Sequence, residues 1–352
     1  MNNFNLTNRS NADVYNETSD WAGLKSVILH YQVSFLSFTI FAALLGNLVV
    51  LVATYLDKRL HNASKYFVAC LATSDLLVAM FSVTIRLHQY LQQDRPLTIE
   101  FCRFWIWVDI FGEAASITSL TVICVDRYYK VSRPFRYKAN MSTHRARRII
   151  AFIWIYSATL AALGLFSYEE GTGVRILARR NTCFNQNRNF YTLAAFLGFF
   201  VPVAILIVLC ILIFRIIQIH KKKRRLDDRQ GDCEVARIHQ TQSHSSNSRG
   251  LRTLAMIVIT FIICWGPFFL LFLILQYNPH ALEPMDKRGA MILKNIFYGV
   301  LPYANSFLNP VIYAFFDNTF KVAIRDMLLC RKPHRQASTI KLRASSLPLS
   351  RN

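Results

Sequence analysis

The chain has 352 residues, of which 53% are hydrophobic and 17% are charged, and its formal net charge is +21. Soluble domains carry about 25% charged residues, so this composition argues against a water-soluble protein. Seven apolar runs are long enough to cross a bilayer. They are Tyr31–Leu56, Ser64–Tyr90, Glu100–Val131, Arg145–Ser167, Asn189–His220, Arg249–Gln276 and Gly289–Phe316, here called spans 1 to 7. Because backbone in lipid must be hydrogen-bonded internally, we predict an all-α membrane protein, a seven-transmembrane helix bundle.

The positive charge is concentrated in the segments that follow spans 1, 3, 5 and 7. In a soluble protein such a charge would suggest a nucleic-acid partner. In a bundle of seven spans these segments share one side of the membrane, which the positive-inside rule identifies as the cytoplasm. We therefore predict no nucleic-acid partner and a multi-pass protein of the plasma membrane. Its amino terminus is expected outside the cell and its carboxyl terminus in the cytoplasm.

The predicted extracellular side carries two kinds of covalent site. Residues 1–30 are a polar head with the acceptor triplets of N-glycosylation at Asn5, Asn8 and Asn16. Cys102 and Cys183 both fall on this oxidising side, where a disulfide between them would tie the top of span 3 to the loop after span 4. The sequence thus predicts a glycoprotein with one disulfide bond.

The predicted cytoplasmic side has three further regions. Residues 221–248, within the domain 31–316 that holds the seven spans, form a basic loop that we expect to be flexible. Residues 317–330 have an amphipathic pattern suited to a short eighth helix lying on membrane lipid. Cys330 at its end is a candidate for palmitoylation, and residues 331–352 form a cytoplasmic tail.

Span 3 carries charge near both faces of the membrane. Asp109 and Arg127 are eighteen residues apart, about five helical turns, so they share one helical face. Along the helix axis they are separated by roughly 27 Å, close to the thickness of the hydrocarbon core. An ionisable group inside a span is a functional-site hypothesis by default. A small cationic ligand outside and a signalling protein inside are the expected partners.

Short motifs then occur in a fixed order along the spans. They are Gly46-Asn47, Leu71-Ala72-Thr73-Ser74-Asp75, Asp126-Arg127-Tyr128, Trp154, Pro202, Phe261 with Cys264-Trp265-Gly266-Pro267, and Asn309-Pro310-Val311-Ile312-Tyr313. In this order the chain resembles rhodopsin-like (class A) G-protein-coupled receptors over all seven spans, most of all the group that binds biogenic and trace amines. The resemblance implies a heterotrimeric G protein as partner, with arrestin and a receptor kinase as further partners.

The resemblance also implies a ligand pocket. It assigns Asp109 as the carboxylate that pairs with a protonated amine, with Tyr303 beside it. The remaining pocket residues that it implies are aromatic, namely Trp105, Trp265, Phe268 and Phe269. A carboxylate supplies a charge-assisted hydrogen bond, and aromatic faces attract cations. Span 5 has Ala194, Ala195 and Gly198 where hydroxyl side chains would meet a catechol, so a catecholamine is disfavoured.

Two unusual charges leave alternatives open. Glu113 lies one turn deeper than Asp109 on the same face, so a dibasic ligand spanning both acids is one hypothesis. The other is that Glu113 stays neutral or hydrogen-bonds to a neighbour. Arg86 in span 2 is expected near the pocket mouth. If it neutralised Asp109 internally, the ligand would instead be a peptide, an anionic or a lipid-like molecule.

The remaining motif residues concern activation, and their roles are implied by the resemblance. A sodium ion is the only ligand expected besides the agonist, and its site would consist of Asp75, Ser116, Asn305 and Asn309. A water-filled polar network is the alternative for the same four residues. Pro202, Ile117 and Phe261 would form a packing switch below Trp265. Arg127 would meet the G protein, and Asp126 would hold Arg127 in the inactive state. The other activation residues are Tyr128, Pro310 and Tyr313.

No enzyme signature occurs in the sequence. Gly171-Thr172-Gly173 lacks the strand and helix that phosphate binding needs. A transporter or channel would show repeat symmetry or broken helices near the middle of the membrane, and the spans show neither pattern. The expectation is therefore a G-protein-coupled receptor for a cationic amine.

Overall fold

The computed structural model of the protein describes residues 11–92, 98–166, 173–177, 182–185, 187–227 and 234–329. The predicted sites Asn5, Asn8 and Cys330 and the tail 331–352 lie outside these residues. Asn16 lies in the first helix, in a stretch whose side chains are also outside this description.

Helices form nearly all of the described chain. They are α1 (Asn11–Leu56), α2 (Ala63–Leu77), α3 (Thr84–Leu91), α4 (Ile99–Ser132), α5 (Pro134–Asn140), α6 (Thr143–Leu163), α7 (Arg188–Ala195), α8 (Val201–Asp227), α9 (Glu234–Tyr277), α10 (Lys287–Gly299), α11 (Leu301–Phe316) and α12 (Asn318–Leu328). Two π-helical segments, Val78–Val83 and Phe196–Phe200, join α2 to α3 and α7 to α8 without a break. A short 3-10 turn, Lys58–Leu60, follows α1.

Six helical stretches are long and apolar enough to cross a membrane, and they coincide with spans 1 to 6. They are Trp21–Leu56, Ala63–Leu91, Ile99–Ser132, Thr143–Leu163, Arg188–Ile219 and Arg252–Tyr277. Span 7 consists of two helices, α10 and α11, which meet at Val300 with φ −120° and ψ −61°. Pro302 lies in the first turn of α11, where its missing N–H costs no hydrogen bond. The proline thus explains why span 7 is interrupted and a new helix, α11, begins at Leu301.

Several helices extend beyond the predicted spans. α1 begins at Asn11 rather than Tyr31, while α8 and α9 cover most of residues 221–248. These extensions are polar, so an apolar-run criterion could not include them. The flexibility predicted for residues 221–248 stays a prediction.

A small β-hairpin is the exception to the predicted all-α fold. β1 (Val174–Leu177) pairs antiparallel with β2 (Thr182–Asn185), with Ile176 opposite Cys183. Cys183 forms a disulfide with Cys102 in the first turn of α4, and their Cα atoms are 5.3 Å apart. The disulfide prediction is confirmed, and the bond fixes the hairpin over one end of the bundle.

α4 lies at the centre of the bundle and packs against α2, α6 and α8. A continuous core of buried side chains includes Phe67, Leu120, Leu206 and Phe261. Large apolar side chains on the outside of α1 are exposed instead, for example Phe41 at 67%. Outward-facing apolar surface of this kind is suited to contact with lipid tails.

α12 lies where the eighth helix was predicted. The Asp317 carboxylate accepts hydrogen bonds from the backbone N–H groups of Thr319 and Phe320 and so caps the helix. Phe320 and Ala323 are buried against the bundle. The contact of this helix with membrane lipid stays a prediction.

The close approach of α4 to α2 depends on a missing side chain. A Cβ atom at Gly112 would lie 2.5 Å from Cγ2 of Val78. We expect Gly112→Leu to lower the stability of the folded protein by about 1–3 kcal/mol, because the overpacked side chain forces the helices apart. Thermal unfolding in detergent would measure the change through a thiol-reactive dye that detects the buried Cys70, Cys124 and Cys264.

Two further variants control this measurement. Gly23→Leu makes the same change in α1 where nothing lies within 4 Å of the new Cβ atom, so no loss is expected. Val78→Ala added to Gly112→Leu should restore part of the stability. Equal melting temperatures for the Gly112 and Gly23 variants would contradict the close packing.

Candidate functional site

A cavity of about 360 Å³ opens between the middle of α4, the hairpin, α7 and α9 to α11. Most of the predicted ligand residues line it. They are Trp105, Asp109, Glu113, Phe268, Phe269 and Tyr303. Trp265 lies below this lining, with its ring centroid 5.7 Å from that of Phe268 and 5.8 Å from that of Phe269. The structure therefore brings the predicted pocket together and places Trp265 under its floor.

The carboxylate of Asp109 forms a hydrogen bond with one serine side chain. Ser82 is fully buried, and its hydroxyl donates a hydrogen bond to Oδ1 of Asp109. Ser82 belongs to the π-helical segment Val78–Val83, whose extra residue per turn changes which side chains face the bundle. A single hydroxyl does not compensate a charged carboxylate in a low-dielectric site, and no other hydrogen-bond donor to Asp109 occurs among the described residues.

Arg86 lines the same cavity but does not form an ion pair with Asp109 or Glu113 in the part of the chain that the structure describes. Its guanidinium carbon lies 5.5 Å from the ring centroids of both Tyr90 and Trp105. Its Nε atom is buried and has no hydrogen-bond partner. No direct ion pair therefore joins Arg86 to Asp109, and neutralisation of this carboxylate by the nearby guanidinium stays an open alternative.

The wall opposite α4 is aromatic. Phe268 lies edge-on to Phe269 and to Tyr298, with centroid distances of 5.0 Å and 5.1 Å. Phe269 stacks on Phe199 at 4.4 Å. On the side of α7, Ala194, Ala195 and Gly198 line the cavity and offer it no hydroxyl group. The cavity thus presents charge on α4 and aromatic faces on α9 and α10.

The carboxylate of Asp75 lies in the middle of the bundle and is 1% exposed. It accepts hydrogen bonds from Ser116 Oγ at 3.2 Å and from Asn309 Nδ2 at 2.8 Å. Oδ1 of Asn309 is buried without a partner, and Asn305 is buried one turn before Asn309. Carboxylate, hydroxyl and amide oxygens suit a hard cation, so these residues fit a sodium ion. They equally fit ordered water.

Asp126 at the opposite end of α4 has a different partner from the one predicted. Tyr137 Oη donates a hydrogen bond to Asp126 Oδ1 at 2.7 Å and lies 3.2 Å from Ser64 Oγ. Burial, with the nearby carboxylate, raises the pKa of Tyr137 to about 12, so its hydroxyl remains a donor. Among the described residues Asp126 forms no ion pair with Arg127. Asp126 is thus bound to Tyr137 in this structure, and the restraint of Arg127 by Asp126 in the inactive state stays a prediction.

The other predicted activation residues lie in the core or at its edge. Ile117 and Phe261 are buried in one cluster, and Phe261 lies 5.8 Å from Phe199. Tyr313 is buried against Phe320, and its hydroxyl has no hydrogen-bond partner. Pro310 approaches Gly46 so closely that a Cβ atom at Gly46 would lie 2.9 Å from the proline ring. Pro202, Arg127 and Tyr128 are half-buried.

Residues 46–313 match the sequence family described as 7 transmembrane receptor (rhodopsin family). The chain belongs to this family. Similar receptors include the D(1)-like dopamine receptor of Takifugu rubripes, which is 32% identical over 85% of this chain and 70% of its own length. The octopamine receptor beta-2R of Chilo suppressalis is 26% identical over 90% and 84% of the two chains. The histamine H2 receptor of Cavia porcellus is 28% identical over 87% and 82%.

This membership has direct consequences. A rhodopsin-family protein is a receptor and not an enzyme, and it crosses the membrane several times, as the apolar helices indicate. The matched region covers every motif from Gly46 to Tyr313. The recognition made from the motifs is confirmed.

Three residues of the receptor's cavity were missed by the sequence analysis. Tyr191, Phe272 and Tyr298 all line it. Phe272 is four residues after Phe268 and stacks on it at 5.9 Å, so helical spacing could have identified it. Tyr191 lies three residues before Ala194 and could have been found in the same way. Tyr298 carried no such signal, because its position depends on the break at Val300.

Proposed function

We propose that this rhodopsin-family receptor binds an extracellular cationic amine through Asp109 and activates a heterotrimeric G protein in response. The observation that carries the proposal is the state of Asp109 in the cavity. Its carboxylate faces an aromatic-walled space and receives only the hydroxyl of Ser82. The names of the similar receptors, for octopamine, dopamine and histamine, support an amine as the ligand class.

The ammonium group of the ligand would donate charge-assisted hydrogen bonds to Asp109, and its organic part would contact Phe268, Phe269 and Tyr298. A hydrogen bond to a charged group contributes about 1.5–3 kcal/mol, and a desolvated cation over an aromatic ring about 2 kcal/mol. Because Ala194, Ala195 and Gly198 carry no hydroxyl, Tyr191 is the one hydroxyl-bearing residue that α7 contributes to the described cavity lining, so a ring with two phenolic groups would gain little there.

Activation would begin where the ligand presses on the aromatic floor. Trp265 supports Phe268 and Phe269, and Pro267 between them leaves α9 without one backbone hydrogen bond. A shift of Trp265 would repack Phe261 and swing the far end of α9 outward. Arg127, which forms no ion pair with Asp126 among the described residues, would then contact the G protein.

The remaining features are proposed on the same basis. The pocket end would face the cell exterior and the lysine- and arginine-rich end the cytoplasm, which the positive-inside rule supports. Asp75, Ser116, Asn305 and Asn309 would hold a sodium ion as an allosteric ligand. Arrestin and a receptor kinase would act on the tail, with glycosylation at the amino terminus and palmitoylation at Cys330.

A second candidate function rests on Arg86. Its buried Nε has no hydrogen-bond partner among the described residues, so the guanidinium could donate a hydrogen bond to an anionic group of a ligand. A receptor of the same fold for an anionic ligand would use Arg86 in place of Asp109.

The experiment that tests the proposal compares amines with their neutral isosteres. Cells expressing the receptor would be challenged with aromatic and aliphatic amines and with the alcohols of the same skeleton, and cyclic AMP and calcium would be recorded. We expect at least one amine to act at concentrations about 100-fold below its alcohol, since only the ammonium pairs with Asp109. Arg127→Ala, at equal surface expression, is the control for G-protein coupling. An alcohol or a carboxylic acid as potent as the amine would overturn the proposal.

A further inference from the structure

A second carboxylate in the cavity has no partner. Glu113 lies four residues after Asp109 on α4, about 6 Å further along the helix axis and on the same face. It lines the cavity, yet it forms no hydrogen bond or ion pair with any residue in the described ranges. Asp109 at least accepts the hydroxyl of Ser82. A polar group this deep in a membrane protein needs a partner.

The described surroundings of Glu113 do not satisfy its carboxylate. Its neighbours on α4 include Ile110, Ala114 and Ile117, which offer no side-chain donor. Tyr191 and Tyr303 bring hydroxyl groups into the same cavity, but neither forms a hydrogen bond with Glu113 in the described ranges. The cavity lining also includes Gly198 and Ala195, whose small side chains leave room inside the cavity. Since no described residue forms a hydrogen bond or ion pair with Glu113, its partner is expected to come with the ligand.

Charge is also ordered along the depth of the cavity. Arg86 lies beside Trp105, which is one turn above Asp109 on α4, and Glu113 lies one turn below Asp109. A second cationic group at the level of Trp105 would be repelled by the guanidinium. The same group at the level of Glu113 would be attracted by a carboxylate. The cavity therefore favours a ligand whose second positive charge points inward.

We propose that Glu113 is a second cation-binding residue and that the ligand carries two basic nitrogens, one bound by Asp109 and the other by Glu113. This inference rests on the proposed function, because Asp109 must hold the first nitrogen. The rise between the two carboxylates is comparable to the separation of the nitrogens in a diamine with a short aliphatic chain. An aromatic amine with a second aminomethyl group would fit the same two acids and the wall of Phe268 and Phe269.

The test uses pairs of compounds that differ only in the second nitrogen. They are pentylamine and cadaverine, norleucine and lysine, and 4-methylphenethylamine and 4-(aminomethyl)phenethylamine. Each would be applied to cells expressing the wild-type receptor, Glu113→Gln, Glu113→Asp and Asp109→Asn, and the second-messenger response would be recorded at matched surface expression. Glu100→Gln is the control, because Glu100 is an exposed acid in the first turn of the same helix.

The expected result is that the dibasic member of at least one pair is at least about tenfold more potent than its monobasic partner. Glu113→Gln should make the two members of that pair about equally potent, while the potency of the monobasic compound stays within a few-fold of its wild-type value. Glu113→Asp, which keeps the carboxylate, should retain part of the potency difference. Glu100→Gln should leave the ratio unchanged. A comparison of lysine with cadaverine, which differ by the carboxylate, additionally reports whether the carboxylate of a ligand gains from Arg86.

Two results would overturn the inference and are distinguishable from failure of the proposed function. If the wild-type receptor responds equally to both members of every pair, or if Glu113→Gln keeps the ratio, Glu113 is no cation site although Asp109 still binds amines. If the responses survive Asp109→Asn, or if no amine acts at all, the proposed function itself fails and the inference fails with it.

Discussion

Replacing Asp109 with asparagine is expected to raise the half-maximal concentration of an active amine at least about 100-fold, which corresponds to a loss of about 3 kcal/mol. Asparagine has the same shape and can still accept the hydroxyl of Ser82, so the cavity keeps its geometry. Only the charge is lost. The ammonium group of the ligand would then enter a low-dielectric site without a counter-charge, which is costly because its own hydration has been removed.

The matched control for this variant is Ser82→Ala. It removes the hydrogen-bond donor to Asp109 but leaves the carboxylate charged, so the potency should change by less than about tenfold. Dose–response curves for both variants would be measured at surface expression equal to that of the wild type. An Asp109→Asn receptor with unchanged potency would mean that the ammonium binds elsewhere.

The break in span 7 and the helix ends show what could be predicted from the sequence. Apolar runs identified all seven spans, because only helices can bury their backbone in lipid. The interruption of span 7 is consistent with Pro302, which lies in the first turn of α11 (Leu301–Phe316). The polar extension of α1 back to Asn11 had no comparable signal, since helix propensity without an apolar face is a weak predictor.

Partners that come from other elements could not be predicted. Tyr137 reaches Asp126 only because α5 folds back across the end of α4, and no motif encodes that return. Ser82 faces Asp109 through a π-helical segment, and a residue count based on a regular α-helix would place it elsewhere. Charged groups inside apolar spans were therefore recognisable from the sequence, whereas their hydrogen-bond partners depended on register and tertiary packing.

A buried ion pair ties α2 to the start of α12. Lys65 Nζ donates to Asp317 Oδ2, and the side chains of the two residues are 8% and 15% exposed. Nζ of Lys65 also lies 4.4 Å from the ring centroid of Phe320. Burial alone would raise the pKa of Asp317, but Lys65, Arg127 and the backbone N–H of Phe320 together hold it below its usual value. Because the folded-state pKa is lowered, the carboxylate contributes stability above the unfolded-state pKa of about 4, and this is lost as the pH falls through the folded-state value.

Breaking this pair from its two sides should have unequal effects. Asp317→Asn keeps the cap of α12 but leaves the Lys65 ammonium buried without an acceptor, and we expect a loss of about 3–5 kcal/mol. Lys65→Met leaves Asp317 with two backbone donors, at 3.0 Å and 3.3 Å, so the loss should be smaller. The double variant, which has neither charge, should be more stable than Asp317→Asn alone. Arg325→Gln breaks a 4.0 Å pair with Asp326 on the same helix, and because the Arg325 side chain is 63% exposed the loss should be about 1 kcal/mol or less. Melting temperatures in detergent would rank the four variants, and a double variant less stable than both single variants would show that the pair does not act through its charges.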